Sequence, residues 1–174
     1  MEWNNQLALS GGDLAASDRA QGSIFFVGNA TVILRFAEFT ILTDPNFLHR
    51  GDHVHLGHGM TAARRTEPAL ELEALPPIDF VILSHMHEDH FDREVERKLD
   101  RNLPIVTTPH AAAELTAKGF RAAKELNTWK PLTVSKGGAR VQVRAMPGAH
   151  ASGAVARMMR SRRQDDAASN GELA

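Results

Sequence analysis

Between Leu83 and Asp92 the chain reads Leu-Ser-His-Met-His-Glu-Asp-His-Phe-Asp, so three histidines and two acids fall within the six residues from His85 to His90. Neutral imidazole and carboxylate are ligands for zinc and its first-row neighbours. The segment directly follows an apolar run, Phe80-Val81-Ile82-Leu83, that reads as a buried strand. In extended backbone alternate side chains share a face, so His85, His87 and Asp89 can point the same way. His90 joins them if the chain turns into a helix there, which Phe91 onward supports. A strand that delivers H-x-H-x-D-H into a loop is the pattern of a metal site.

Metal-assisted hydrolysis is the chemistry these residues fit. Zinc with three protein ligands keeps an open position for water and lowers that water's pKa to about 7, giving hydroxide at neutral pH. His85, His87 and a third imidazole make such a site. His150 is the best third ligand, because it follows a strand end and the Pro147-Gly148 turn; its alternative is an ordinary surface histidine. Asp89 and His90 can start a second metal position, where paired ions clamp attacking and leaving oxygens. Asp44 and Asp92 are candidates to accept the outer N–H of metal-bound imidazoles. The alternative for Asp44 is a strand-ending Asp-Pro turn, and for Asp92 a helix N-cap. The chemistry does not distinguish zinc from manganese, since His/Asp sites accept either.

Other chemistries fit less well. There is no G-x-S-x-G elbow and no P-loop. Ser84 adjoins His85, but neighbours in a strand face opposite ways, which makes a poor nucleophile–base pair. His87 and His90 are three apart rather than the four of H-E-x-x-H. The chain has no cysteine, which removes disulfides, thiolate ligands and a cysteine nucleophile together.

Several elements are needed to position these groups. Ser23–Gly28, Thr31–Phe36 and Phe39–Thr43 read as three strands of an antiparallel meander, the last ended by Asp44-Pro45. Residues 46–77 have weak periodicity and hold His49, His53, His55 and His58, either a second metal locus or a solvated loop over a site. Gly57 to Ala62 formally matches G-x-G-x-x-A, but no apolar strand precedes it. Glu67 to Leu75 is a candidate short helix stopped by Pro76-Pro77. Phe91, Val95 and Leu99 repeat at helical spacing; Pro104 to Thr107 reads as a strand, and Thr108-Pro109 as a helix start with Gly119 as its end. Lys124–Leu126 and Leu132–Val134 are short strand candidates, Gly137-Gly138 is a turn, and Arg140 to Ala145 alternates strictly.

The 174 residues suffice for one domain with a core, and a net charge of −1 from 20 basic and 21 acidic residues advertises neither nucleic acid nor an anionic membrane. No apolar run approaches the roughly 20 residues of a spanning helix, and no signal peptide is visible, so a cytoplasmic protein acting on a small molecule is expected. Residues 1–21 read as a flexible N-terminal segment, 22–159 as the folded portion and 160–174 as a disordered tail.

The H-x-H-x-D-H motif at His85, His87, Asp89 and His90 and the order of elements resemble the metallo-β-lactamase superfamily. Gly28-Asn29-Ala30-Thr31-Val32, Leu42-Thr43-Asp44-Pro45, Leu75-Pro-Pro-Ile-Asp79 and Pro147-Gly-Ala-His150 are similar to one branch of it. That branch holds ascorbate-phosphate lactonases and phospholipase D-like enzymes acting on N-acylphosphatidylethanolamine. The resemblance covers roughly residues 23–155. It implies an α/β (α+β) fold, an αββα sandwich with a dinuclear site at one edge. It also implies that His85, His87 and His150 hold the first metal, that Asp89 and His90 hold part of the second, and that Asp89 is catalytic, orienting the attacking water and handling its proton. The expected activity is hydrolysis of a lactone or phosphodiester. Family members continue past the third histidine to a bridging aspartate and a final histidine. No histidine follows His150 here, so the sandwich is expected to be incomplete, with apolar strand faces exposed. The alternatives are an inactive remnant, or a subunit of an oligomer completed by a partner chain.

Overall fold

The computed structural model describes residues 5–10, 22–57 and 60–148. Its first strand, Gln6–Leu9 (β1), lies in the segment expected to be flexible. Leu7 and Leu9 pack into a core while Gln6 and Ala8 face out, a four-residue alternation too short to stand out among polar neighbours. Ser23–Gly28 (β2), Thr31–Phe36 (β3) and Phe39–Thr43 (β4) form the expected antiparallel meander. Ala37 and Glu38, at φ 47° and 75°, make the two-residue turn whose twist matches the strands it joins.

The chain then departs from expectation. The 46–77 segment contains a separate hairpin, His53–Gly57 (β5) with Met60–Ala63 (β6), belonging to neither larger sheet. The short helix expected over Glu67–Leu75 shrinks to one 3-10 turn, Leu72–Ala74. Of that turn only Leu72 packs against the core, half-buried, while Glu73 and Ala74 are exposed, and one such contact does not propagate a helix.

Beyond it the strands run parallel. Phe80–Ile82 (β7) pairs with β4, Ile105–Thr107 (β8) with β7, and Ala123–Glu125 (β9) with β8, completing a six-stranded sheet of order β2-β3-β4-β7-β8-β9. The crossovers carry helices Arg93–Lys98 (α1) and Pro109–Ala117 (α2). Asp92 caps α1, and acids in its first turn and bases in its last suit its dipole. Thr108 caps α2, Pro109 opens it, and Gly119 takes the positive φ of 88° that ends it. Pro131–Lys136 (β10) and Ala139–Arg144 (β11) form a hairpin over Gly137-Gly138, and β1 pairs parallel with β10 to make a second, three-stranded sheet.

Register sorts the side chains into two cores. Leu42, Val81 and Ile105 are cross-strand neighbours on the helix side, packed with Val95 and Leu115. Ile41 and Phe80 point the other way and meet Val106, Leu132 and Val134 between the sheets. The result is a helix–sheet–sheet stack, three layers of the expected αββα sandwich within the described residues. Lys136 bridges the two sheets, its Nζ 2.8 Å from Asp79, while Asp79 also accepts from the Thr40 N–H at 2.8 Å. Edge strand β2 leaves Ile24 73% and Phe26 62% exposed.

Phe80 is fully buried, with its ring edge-on to Phe39 at 6.1 Å. Phe80→Ala should cost about 3–5 kcal/mol in denaturant unfolding, whereas Ile24→Ala, at the exposed edge, should change stability by about 0.5 kcal/mol or less.

Candidate metal centre

Strands β4 and β7 end side by side, and the candidate ligands leave from that edge. The Asp44 N–H donates to the Ile82 carbonyl at 3.0 Å, and Asp44 Oδ1 accepts from the Ser84 N–H at 2.7 Å. Asp44 sits at φ 36°, in the left-handed region that a short polar side chain tolerates better than most. The Thr31 hydroxyl donates to its carbonyl at 2.7 Å. Asp44 thus ends its strand as an Asp-Pro turn and also grips the start of the histidine loop.

The loop then closes on itself. The N–H groups of His90 and Phe91 both donate to the His87 carbonyl, at 2.9 and 2.8 Å, and this turn brings the His90 ring to 4.2 Å from that of His85. The His85 and His87 rings stand edge to face, with His85 Nε2 3.0 Å from His87 Nδ1. Potential ligand atoms of His85, His87 and Asp89 all lie within 4.8 Å of one another. Asp89 Oδ1 is buried and has no hydrogen-bond partner among the described residues. Two facing imidazole nitrogens beside a buried carboxylate oxygen without a donor fit a divalent cation well.

The surrounding charges shape this cluster. His90 Nδ1 lies 3.4 Å from Asp44 Oδ2, and its Nε2 lies 3.5 Å from Asp89. The hydrogen bond to Asp44 raises the His90 pKa above its ordinary 6.5, against burial, with the Asp44 and Asp89 charges adding to the rise. Asp92 is fully buried; its Oδ1 accepts from the N–H groups of Glu94 and Val95 and its Oδ2 from that of Phe47 at 2.5 Å. Burial raises the Asp92 pKa despite those bonds. Its hydrogen bonds go to backbone amides rather than to an imidazole, so the structure places Asp92 as the helix cap that also fixes residue 47.

His85, His87, Asp89, His90 and Asp44 therefore come together, whereas His150 lies outside the described residues. So does His58. His49, His53 and His55 do not gather into a second locus. His49 pairs with Glu67 and Glu71 at 2.9 and 3.2 Å, the His53 carbonyl accepts from Arg93, and His55 pairs with Glu88 at 2.6 Å.

Sequence reasoning missed two groups of residues. Ser84 was expected to face away from His85, yet its hydroxyl lies 2.9 Å from His85 Nδ1 and 3.2 Å from His90 Nδ1. The strand ends at Ile82, so strand alternation no longer applies at Ser84. Asn29 and Asn46 hold the loop's main chain, donating to the Asp89 and Glu88 carbonyls at 2.6 and 2.8 Å. The Gly28-Asn29 turn signal was the only trace of them.

Two outcomes follow for the metal-free protein. Asp92→Ala removes the cap of α1 and strands the buried Phe47 N–H, so unfolding should show a loss of about 2 kcal/mol or more. A histidine whose folded pKa is raised adds stability that is fully present below about pH 6.5 and fades as pH climbs through the folded value. His90→Gln should therefore lower the denaturation midpoint more at pH 6 than at pH 8.

Residues 40–169 match the family model of the beta-lactamase superfamily domain. A mitochondrial N-acyl-phosphatidylethanolamine-hydrolyzing phospholipase D of Saccharomyces cerevisiae is 31% identical over 115 residues, covering 65% of this chain and 24% of its own. The UPF0173 protein YddR of Bacillus subtilis is 27% identical over 110 residues, 58% of this chain and 42% of its own. An isothiocyanate hydrolase from Delia radicum gut bacteria superposes with a TM-score of 0.52 at 26% identity, over 60% of this chain and 41% of that one. A possible metal-dependent hydrolase from Veillonella parvula shares the fold, with a TM-score of 0.55 at 21% identity, covering 67% and 45%. The chain thus spans about a quarter to two-fifths of the length of these curated relatives. A family model covering most of the sequence, a matching fold and a histidine loop at the expected sheet edge agree: the chain belongs to the beta-lactamase superfamily.

Proposed function

We propose that this chain carries the metal-binding half-site of a hydrolase, with His85, His87 and Asp89 as ligands. The observation behind this reading is the convergence of one donor atom from each within 4.8 Å, and Asp89 also carries a buried oxygen with no hydrogen-bond partner among the described residues. His90 and His150 are proposed as further ligands. Zinc fits the donor set and manganese is the alternative. A divalent ion bound there acts as a Lewis acid and makes water a nucleophile near neutral pH.

The chain's own groups set the rest. The Ser84 hydroxyl beside His85 Nδ1 fixes which ring nitrogen is left to face His87. Asp44 orients His90 in the same way. Asp89 is proposed to orient a water and accept its proton. The name of the phospholipase D relative supports a phosphodiester substrate, and the resemblance of the loop motifs to the lactonase branch supports a lactone. Among the described residues no helix is long and apolar enough to cross a membrane.

Elemental analysis of the purified protein tests the metal reading directly. Wild type should hold one or two zinc or manganese ions per chain. His85→Ala and His150→Ala should each lose metal, and hydrolysis of a chromogenic phosphodiester or lactone should fall with it. Soluble, folded wild-type protein that takes up neither ion on titration would sink the proposal.

A further inference from the structure

The hairpin of β5 and β6 stands alone as a two-stranded sheet. A lone hairpin is marginally stable in water, so its position depends on what docks it. Its base closes through backbone bonds between Asp52 and Arg64 and between Gly51 and Arg64. Its docking runs through three side chains outside it. Glu88 Oε2 accepts from the His55 N–H at 2.7 Å and lies 2.6 Å from His55 Nδ1. Arg93 donates to the His53 carbonyl at 2.9 Å and to Glu88 Oε1 at 2.9 Å, and reaches Asp52 at 3.3 Å. Asn46 accepts from Arg64, just past β6, and passes its own amide N–H to the Glu88 carbonyl.

All three straps meet at Glu88, and Glu88 lies between His87 and Asp89 in the chain. Its side chain is 17% exposed, while the His55 it binds is 74% exposed. A largely buried glutamate between two candidate ligands, with one oxygen on the hairpin residue His55 and the other on Arg93, which itself binds the hairpin, is not explained by metal binding alone. The opposite side of the loop is held by Asn29 on the Asp89 carbonyl. The loop is therefore clamped from two sides, and the hairpin side is the one carried by charge.

We infer that Glu88 is a positioning residue that couples docking of the β5–β6 hairpin to the geometry of the ligand loop. This rests on the metal-site reading above. Pinning the Glu88 carboxylate fixes the backbone on either side of it, and so fixes the separation of His87 from Asp89. Releasing it frees the hairpin and the two ligands together. Coupling of this kind is reciprocal: metal bound at the loop tightens the hairpin, as the docked hairpin tightens metal.

The test compares wild type, Glu88→Gln and Glu88→Ala. Zn²⁺ affinity is measured by competition with a chromophoric chelator, and hydrogen exchange is followed on the peptide covering residues 51–64. Glu88→Gln retains one acceptor oxygen and the side-chain shape, which preserves folding if the alanine variant fails. Glu88→Ala should weaken Zn²⁺ binding roughly 10–100-fold, the range seen when a residue supporting metal ligands is removed, and Glu88→Gln less. Zn²⁺ should slow hairpin exchange in wild type and do so less in either variant. For Zn²⁺ affinity, Arg93→Ala should add little to Glu88→Ala, because the Arg93 bonds to His53 and Asp52 reach the ligand loop only through Glu88, although hairpin exchange should rise further. Unchanged Zn²⁺ affinity in the variants, with faster hairpin exchange, overturns the inference and leaves Glu88 a structural contact. Wild type that binds no Zn²⁺ overturns the metal reading itself, and the inference with it.

Discussion

The parallel pairing of β4 with β7 is the constraint on which the rest of this structure depends. It sets Asp44 beside Ile82 and Ser84, and from that register one carboxylate reaches both the entry of the histidine loop and the ring of His90. The main chain at Asp44 adopts a left-handed conformation to do this, and the Thr31 hydroxyl holds its carbonyl from the neighbouring strand. A strained residue persists only where its surroundings over-determine it, and here three strands do so. Slipping β7 by one position would turn Val81 out of the helix-side core and Phe80 out of the inter-sheet core. The hydrophobic pattern thus protects the alignment that the polar cluster requires.

The exit of the loop is fixed by a different device. Asp92 spends both carboxylate oxygens on amides, two at the start of α1 and one at Phe47. Capping the helix and tethering residue 47 are one act, so α1 cannot shift without disturbing the segment that follows Asp44. Between these fixed ends the histidines have little room. Their closeness is produced by a tight turn around the His87 carbonyl, with aromatic packing of Phe91 on Phe120 beneath it at 5.6 Å.

Much of this was visible in the residues. The meander, the buried strand before the histidines, both helices and the alternating β11 follow from periods of 2 and 3.6 and from caps and glycines that have only local meaning. The parts that escaped depend on distant partners. Gln6–Leu9 is a strand because β10 offers it an open edge. The 53–63 hairpin exists because Glu88 and Arg93, thirty or more positions later, bind its backbone. Ser84 was misjudged because strand alternation was carried past the last ladder residue. In the site, the cluster of candidate ligands was legible since its members are contiguous, whereas the asparagines supporting their main chain were not, because a side chain bonding to a carbonyl leaves no pattern of its own.

That contiguity has a thermodynamic consequence. His85, His87, Asp89 and His90 lie within six residues, so much of the donor set stays together when the chain unfolds. An ion that binds only the native state stabilises it in full by mass action, but an ion that also binds the denatured chain stabilises it by the difference. If the proposed ligands hold a metal, the His85–His90 stretch can chelate it in the unfolded chain too, and metal would raise the melting temperature by less than its native-state affinity alone would give. On the same reading, metal could associate with the loop before β4 and β7 have paired, so that capture would not have to wait for folding.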